Sequence, residues 1–219
     1  MSDPRARGRE LARDAVSRGD PTGWFEQLYV ESQRDGIPIS WVDLQPNPYL
    51  VEWMRHSPAL RAGRALVVGC GYGDDAEFLA AAGLDVTAFD VAPSAIARCH
   101  ERFPESGVRY EVADALQPPA AWLHAFDFVF EAYTVQVLFG NARADCARAI
   151  GSMVAPGGTL LVVARSRRPE DPEGLMPWPL TRAELDLFAV PGLRLAALDE
   201  ILEPGDPPVP RFVAAFRAE

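Results

Sequence analysis

Three glycines at alternate positions, Gly69, Gly71 and Gly73, close an apolar run and lead into an acidic pair, Asp74 and Asp75. Residues of this kind do binding chemistry. Glycine tolerates positive φ and lets a ligand reach the main chain, and a helix start offers free N–H groups. The spacing selects among ligands. A dinucleotide fingerprint, G-x-G-x-x-G, would need its third glycine where Asp74 stands. Two carboxylates at a helix start complement its dipole but repel a pyrophosphate brought to the same N–H groups. The turn therefore suits a ligand with an adenosine-like ribose and a non-phosphorylated, cationic or zwitterionic tail.

S-adenosylmethionine has that character, with contacts expected from Gly69, Cys70, Gly71 and Gly73. Asp90, with Val91 beside it, ends the next strand, where a carboxylate accepts hydrogen bonds from ribose hydroxyls; the plainer role is an exposed turn. Asp114 follows a third strand and is placed to accept from an adenine amino group, Ala115 adding a main-chain contact, or else to cap a helix. Glu131 ends a fourth strand, where it could orient an acceptor, hold the cofactor's ammonium or act as a base; its structural alternatives are capping or an ion pair. Tyr133 and Gln136, on the turn after it, are candidate acceptor contacts. The transferable methyl of a sulfonium is already activated, so alignment and exclusion of water matter more than acid–base machinery. A small thiol, partly ionised near neutrality, suits a chain without a Ser/His/Asp or metal constellation. His56, His100 and His124 are dispersed, and no metal is expected.

These residues must be held by a sheet. Strands are expected near 65–69, 85–90, 107–112, 126–131 and 158–164, with helices near 74–82, 93–103 and 141–154 between them, a βα alternation that predicts a mostly parallel sheet. After a Pro- and charge-rich loop containing Trp178, a candidate substrate lid, come a short helix near 181–188 and strands near 193–203 and 209–217. The turn-forming "EPGDPPVP" between those strands predicts an antiparallel hairpin at one sheet edge. The expected fold is α/β: a Rossmann-like, seven-stranded, mostly parallel sheet with a C-terminal antiparallel hairpin strand and an N-terminal helical cap. Residues 1–60 would form the cap and 61–219 the binding domain.

"VVGCGYG", "FD" at 89–90, "AD" at 113–114, "FDFVFE" and "APGGTLLVV", in this order, resemble the motif series of class I S-adenosylmethionine-dependent methyltransferases over roughly residues 65–217. One departure is Val67, where that superfamily often has an acid; the methionine amino group would then be met by carbonyls near Gly69 or a nearby carboxylate. "GWFEQLYVESQRDGIPISWVDLQPNPYLVEW" and "FEAYTVQVL" are similar to the thiopurine S-methyltransferase-like group and its bacterial thiol and halide methyltransferase relatives. That resemblance implies a soft nucleophile as acceptor and places Trp41 in the segment covering the cofactor.

The chain has 219 residues, a net charge of −10 and 48% hydrophobic residues. Its basic residues are all arginine and are scattered, which disfavours a nucleic-acid partner. No apolar run is long enough for a membrane span and no secretory signal is evident, so a cytoplasmic monomer or homodimer is expected. Cys70, Cys99 and Cys146 form no C-x-x-C pair, and reduced thiols are expected. The expected activity is methylation of a small-molecule acceptor, a thiol first and nitrogen or oxygen next. A non-catalytic S-adenosylmethionine sensor is the alternative from a different class, and a nicotinamide-dependent oxidoreductase the other enzyme class considered.

Overall fold

The computed structural model describes residues 5–57 and 62–219. The expected cap boundary near residue 60 lies outside the described residues. Seven strands form one sheet: β1 (Arg64–Val68), β2 (Asp85–Asp90), β3 (Arg109–Val112), β4 (Phe126–Ala132), β5 (Val154–Arg165), β6 (Leu193–Glu203) and β7 (Val209–Ala218), in the order β3-β2-β1-β4-β5-β7-β6. β1 to β5 run parallel, and β7 is antiparallel to both neighbours. The expected mixed sheet and C-terminal hairpin are therefore present. The hairpin folds so that β7 lies inside the sheet and β6 forms the edge. Leu66, Val67 and Val68 are buried on both faces of the sheet, as central parallel strands require.

Among the described residues six α-helices accompany the strands: α1 (Ala6–Ser17), α2 (Trp24–Asp35), α3 (Pro48–Arg55), α4 (Asp74–Ala81), α5 (Pro93–Arg102) and α6 (Asn141–Ser152). Local sequence explains their ends. Asn47 caps α3 by accepting from the Tyr49 N–H, and Pro93 occupies the first turn of α5, where no N–H is needed. The segment near 181–188 is a 3-10 helix closed by a Thr181/Glu184 capping box. Two expected boundaries differ. The third strand begins at Arg109 because the Ser106 hydroxyl holds the Val108 N–H in a turn. α6 stops at Ser152, and Val154 already pairs with Phe126, so β5 absorbs the Pro156-Gly157-Gly158 stretch expected only to break the helix.

The core has three parts. One lies on the α6 face around Phe126, Val129, Ile150 and Phe188; a second lies on the α3/α4 face around Phe128, Phe130, Leu79 and Leu161. The third joins the N-terminal helices to α5 through Leu11, Ala15, Trp24, Leu28, Tyr29 and Ala95. α1, which reads as polar, is thus anchored by a narrow apolar stripe. Glu26 reinforces this seam: its carboxylate accepts from both the Ser94 N–H at 3.0 Å and the Ser94 hydroxyl at 2.7 Å, capping α5 from another helix. Glu26→Ala removes both bonds and the charge at the helix start. It is expected to cost about 1 kcal/mol and to speed limited proteolysis within residues 6–35, with α6 unaffected; unchanged cutting would show that the apolar seam suffices.

Candidate active site

A cavity of about 520 Å³ opens over the C-terminal ends of β1, β2 and β4. Parallel strands direct their loops to that end, and the strand order reverses between β1 and β4, the topological switch where ligands bind in such sheets. The cavity is roofed by the N-terminal helices and the segment after them.

The glycine turn forms its floor. Gly69 (φ 60°) is left-handed, and a Cβ there would meet the Thr134 hydroxyl at 2.5 Å. Gly71 (φ 54°) faces the cavity beneath the Tyr29 hydroxyl. The turn is tied down on both sides: the Cys70 N–H donates to the Phe89 carbonyl at 2.8 Å and the Gly71 N–H to Asp90 Oδ2 at 3.0 Å. The other oxygen of Asp90 accepts from the Ala92 N–H at 3.0 Å. Asp90 is only 6% exposed, and burial pushes its carboxyl up to about 6 against the pull of its backbone bonds.

Gly69, Cys70, Gly71, Asp90, Val91, Asp114, Ala115, Trp41, Tyr133 and Gln136 all reach this one cavity. Asp114 Oδ1 accepts from the Leu116 N–H at 2.8 Å, which fixes the carboxylate after β3. The Trp41 indole N–H donates to the Tyr29 hydroxyl at 3.1 Å, and its ring stands edge-on to Trp24 and Phe25. Gln136 is buried, its carbonyl oxygen accepting from the Arg165 N–H at 2.8 Å, so it braces β5 as well as lining the wall. Tyr133 has a φ of 66°, and burial pushes its phenol up to about 12.

Two expected site residues are not brought to the wall. Gly73 starts α4 with its Cα against Tyr110 and Cys99, where a side chain has no room. Glu131 points into the core: Oε1 accepts from the N–H groups of Thr134 (2.7 Å) and Val135 (3.0 Å), while Oε2 is buried without a hydrogen-bond partner. Burial pushes its carboxyl to about 7. Its position is that of a turn cap. Trp178 is likewise off the wall, its N–H bound to the Gln136 carbonyl and its ring beside Phe139 and Arg143; Met176 and Pro177 of the same loop reach the cavity instead.

The acidic pair divides its work. Asp74 forms a two-pronged ion pair with Arg102, both contacts 2.7 Å, so its charge is compensated. Asp75 holds the Asn47 N–H at 2.6 Å, and burial pushes it up to about 6. The repulsion expected toward a phosphate therefore rests on Asp75, not on the pair. Tyr29, one of the aromatic residues of the N-terminal segment, also lines the cavity, and sequence reasoning missed Arg165 and Arg211. Arg165 stands at a strand's C-terminal end, a position the switch rule marks; nothing local marks Arg211.

Residues 65–158 match the family model described as "Methyltransferase domain". Among curated proteins, the chain is 33% identical over 127 residues to a ubiquinone biosynthesis O-methyltransferase of Xanthomonas campestris pv. campestris, covering 56% of this chain and 52% of that protein. It is 30% identical over 128 residues to the protein of that name from Pseudomonas aeruginosa, covering 57% and 53%. The chain thus spans about half the length of the curated relatives it matches. Among solved structures, a protein from work on conversion of a disulfide bond into a thioacetal group during echinomycin biosynthesis superposes with a TM-score of 0.74 at 25% identity, over 90% of this chain and 93% of that one. A Burkholderia thailandensis 1,6-didemethyltoxoflavin-N1-methyltransferase, solved with S-adenosylhomocysteine, gives a TM-score of 0.70 at 17% identity, over 100% and 91%. The sheet order, the glycine turn and the matched segment agree in making residues 65–158 similar to a methyltransferase domain.

Proposed function

We propose that this chain transfers the methyl group of S-adenosylmethionine to a small molecule, at an acidic hydroxyl of the phenol type. The observation that carries the reading is the convergence of Gly71, Asp90 and Asp114 on one cavity of about 520 Å³, a size suited to small ligands. The residues fit the cofactor. Each oxygen of Asp90 holds one backbone N–H and keeps acceptor capacity for ribose hydroxyls. Asp114 stands one strand further along for the adenine end. Asp75 supplies the nearby carboxylate for the cationic tail that Val67 does not provide. The cofactor supplies an electrophilic methyl on a sulfonium. The protein's own part is to align an acceptor and keep water away, using the aromatic roof of Trp41 and Phe25.

Oxygen is favoured by the names of the curated relatives. A thiol acceptor, and with it the narrower thiopurine S-methyltransferase-like grouping, is the second reading. It is favoured by the cavity wall, which carries no histidine among the described residues. Such a wall suits an acceptor that arrives ionised. The test is to incubate the protein with S-adenosylmethionine and either catechol or thiophenol and to follow S-adenosylhomocysteine and methylated product by mass spectrometry. Product from catechol supports the first reading, and product from thiophenol alone the second. Tight S-adenosylhomocysteine binding with no turnover across a wider acceptor panel would favour a sensor.

A further inference from the structure

The charged groups of the cavity are unevenly spread. Asp74, Asp75, Asp90 and Asp114 line the end over β1 to β3, whereas Arg165 and Arg211, with Asp206 of the β6/β7 hairpin, line the end over β5 and β7. Such a pair of guanidinium groups stands out in a chain of net charge −10. The two arginines are direct cross-strand partners in the antiparallel β5/β7 register, so their side chains leave the same face of the sheet. Like charges placed directly opposite destabilise a sheet. Where a chain keeps such a local conflict at a cavity, function is the usual reason.

Arg211 is compensated. It bonds Glu203 through Nε at 2.7 Å and packs over the rings of Tyr133 (5.2 Å) and Tyr49 (5.8 Å). Arg165 is not. Among the described residues no carboxylate lies within ion-pair distance of its guanidinium, which makes no hydrogen bond. Asp43 and Asp206 also line the cavity, and neither pairs with it. Half-buried, and surrounded by Arg5, Arg211 and Arg9, Arg165 is held below the ordinary guanidinium range, burial being the largest cause. Its charge is kept at an electrostatic cost that an incoming anion would offset.

We propose that Arg165 is the anchor for an oxyanion group on the methyl acceptor, so that the preferred substrates are carboxylated or phosphorylated small molecules. The proposal rests on the methyltransferase reading above. The planar fork of a guanidinium matches a carboxylate or phosphate through two parallel hydrogen bonds, with a strength and geometry a lone ammonium lacks. The second source of an oxyanion is the cofactor's own carboxylate. Sheet topology favours the acceptor: β5 lies two strands from β1 and its glycine turn, a lateral separation of about 10 Å at ordinary strand spacing.

The experiment titrates matched pairs into protein saturated with S-adenosylhomocysteine: 3,4-dihydroxybenzoate against catechol, and thiosalicylate against thiophenol. Calorimetry is expected to show the carboxylated member of at least one pair binding about 10-fold or more tightly than its neutral twin. In Arg165→Gln that preference falls to about 3-fold or less while S-adenosylhomocysteine binds as in wild type; Arg165→Lys keeps part of it. Relief of the cross-strand repulsion also raises the melting temperature of ligand-free Arg165→Gln, whereas loss of a merely structural arginine lowers it. Equal binding of the twins in both pairs, or no binding of any probe to the loaded protein, overturns the proposal. So does an Arg165→Gln loss confined to S-adenosylhomocysteine affinity, which would assign the guanidinium to the cofactor tail. Failure of wild type to bind S-adenosylhomocysteine defeats the methyltransferase reading instead, and the same titration without it still decides the anion preference.

Discussion

Asp90→Ala is expected to weaken S-adenosylhomocysteine binding by about 100-fold or more, the largest effect of any single substitution at the site. A hydrogen bond to a charged group contributes about 1.5–3 kcal/mol. Two ribose hydroxyls directed at this carboxylate together supply more than the roughly 2.7 kcal/mol that 100-fold represents. The variant also frees the Gly71 and Ala92 N–H groups that Asp90 holds, and so loosens the glycine turn itself. Asp90→Asn separates the two contributions: it keeps the shape of the side chain and one acceptor, and should recover part of the affinity. Calorimetry on the three proteins checks the ordering. Alanine and wild-type affinities within about threefold of each other would remove Asp90 from the cofactor site and the glycine-turn argument with it.

Between pH 5 and pH 8 the stability of the ligand-free protein and its cofactor affinity should move in opposite directions. Asp75 and Asp90 are pushed to about 6 and Glu131 to about 7, in each case chiefly by burial. A carboxyl whose pKa is raised by folding keeps protons that the unfolded chain has already released near pH 4. Its contribution to stability is therefore complete below that pH and lost as pH rises through 6 to 7. Glu31, held at about 2 by Arg7, and Glu184, lowered through Thr181 and Arg143, behave in the opposite sense, but their contributions are already complete above pH 5. Three raised groups at roughly 1.4 kcal/mol per pKa unit amount to several kcal/mol, or on the order of 10 °C in melting temperature. Ribose hydroxyls instead require the ionised form of Asp90, so S-adenosylhomocysteine affinity rises over the same interval and levels off above pH 7. Thermal melts and calorimetry at half-unit steps provide the check. A melting temperature that is flat or rising from pH 5 to 8 contradicts the first expectation, and affinity that falls with pH contradicts the second.

The sheet and the meeting of the glycine turn with Asp90 at one cavity were legible in the sequence because both are local. An apolar run closing on Gly69, and Asp90 at the last residue of its strand, carry their positions within a few neighbouring residues. Glu131 shows where such reading stops. Its place at the end of β4 is correct, but alternation along the strand puts it on the face of Val129, toward α6, while the neighbouring Tyr133 turns into the cavity through a left-handed backbone. The sequence marks a strand's end without marking which face the cavity occupies. Arg165 and Arg211, 46 positions apart in numbering (211 − 165), meet only through the antiparallel register of β7, which places that strand's first residues at the ligand edge. Tyr29 reaches Gly71 only because an apolar seam docks α2 on α5.

The roof is fastened to the helices beside the glycine turn. Asp75 at the start of α4 grips the Asn47 main chain and Glu26 seizes the first turn of α5, while within the roof the Tyr29 hydroxyl takes the Trp41 indole N–H. Exchange of a cofactor held over the glycine turn would part some of these holds, whereas the β6/β7 hairpin meets the cavity from the other side through Asp206 and Val209. Turnover would then be paced by the parting of the roof rather than by the chemical step.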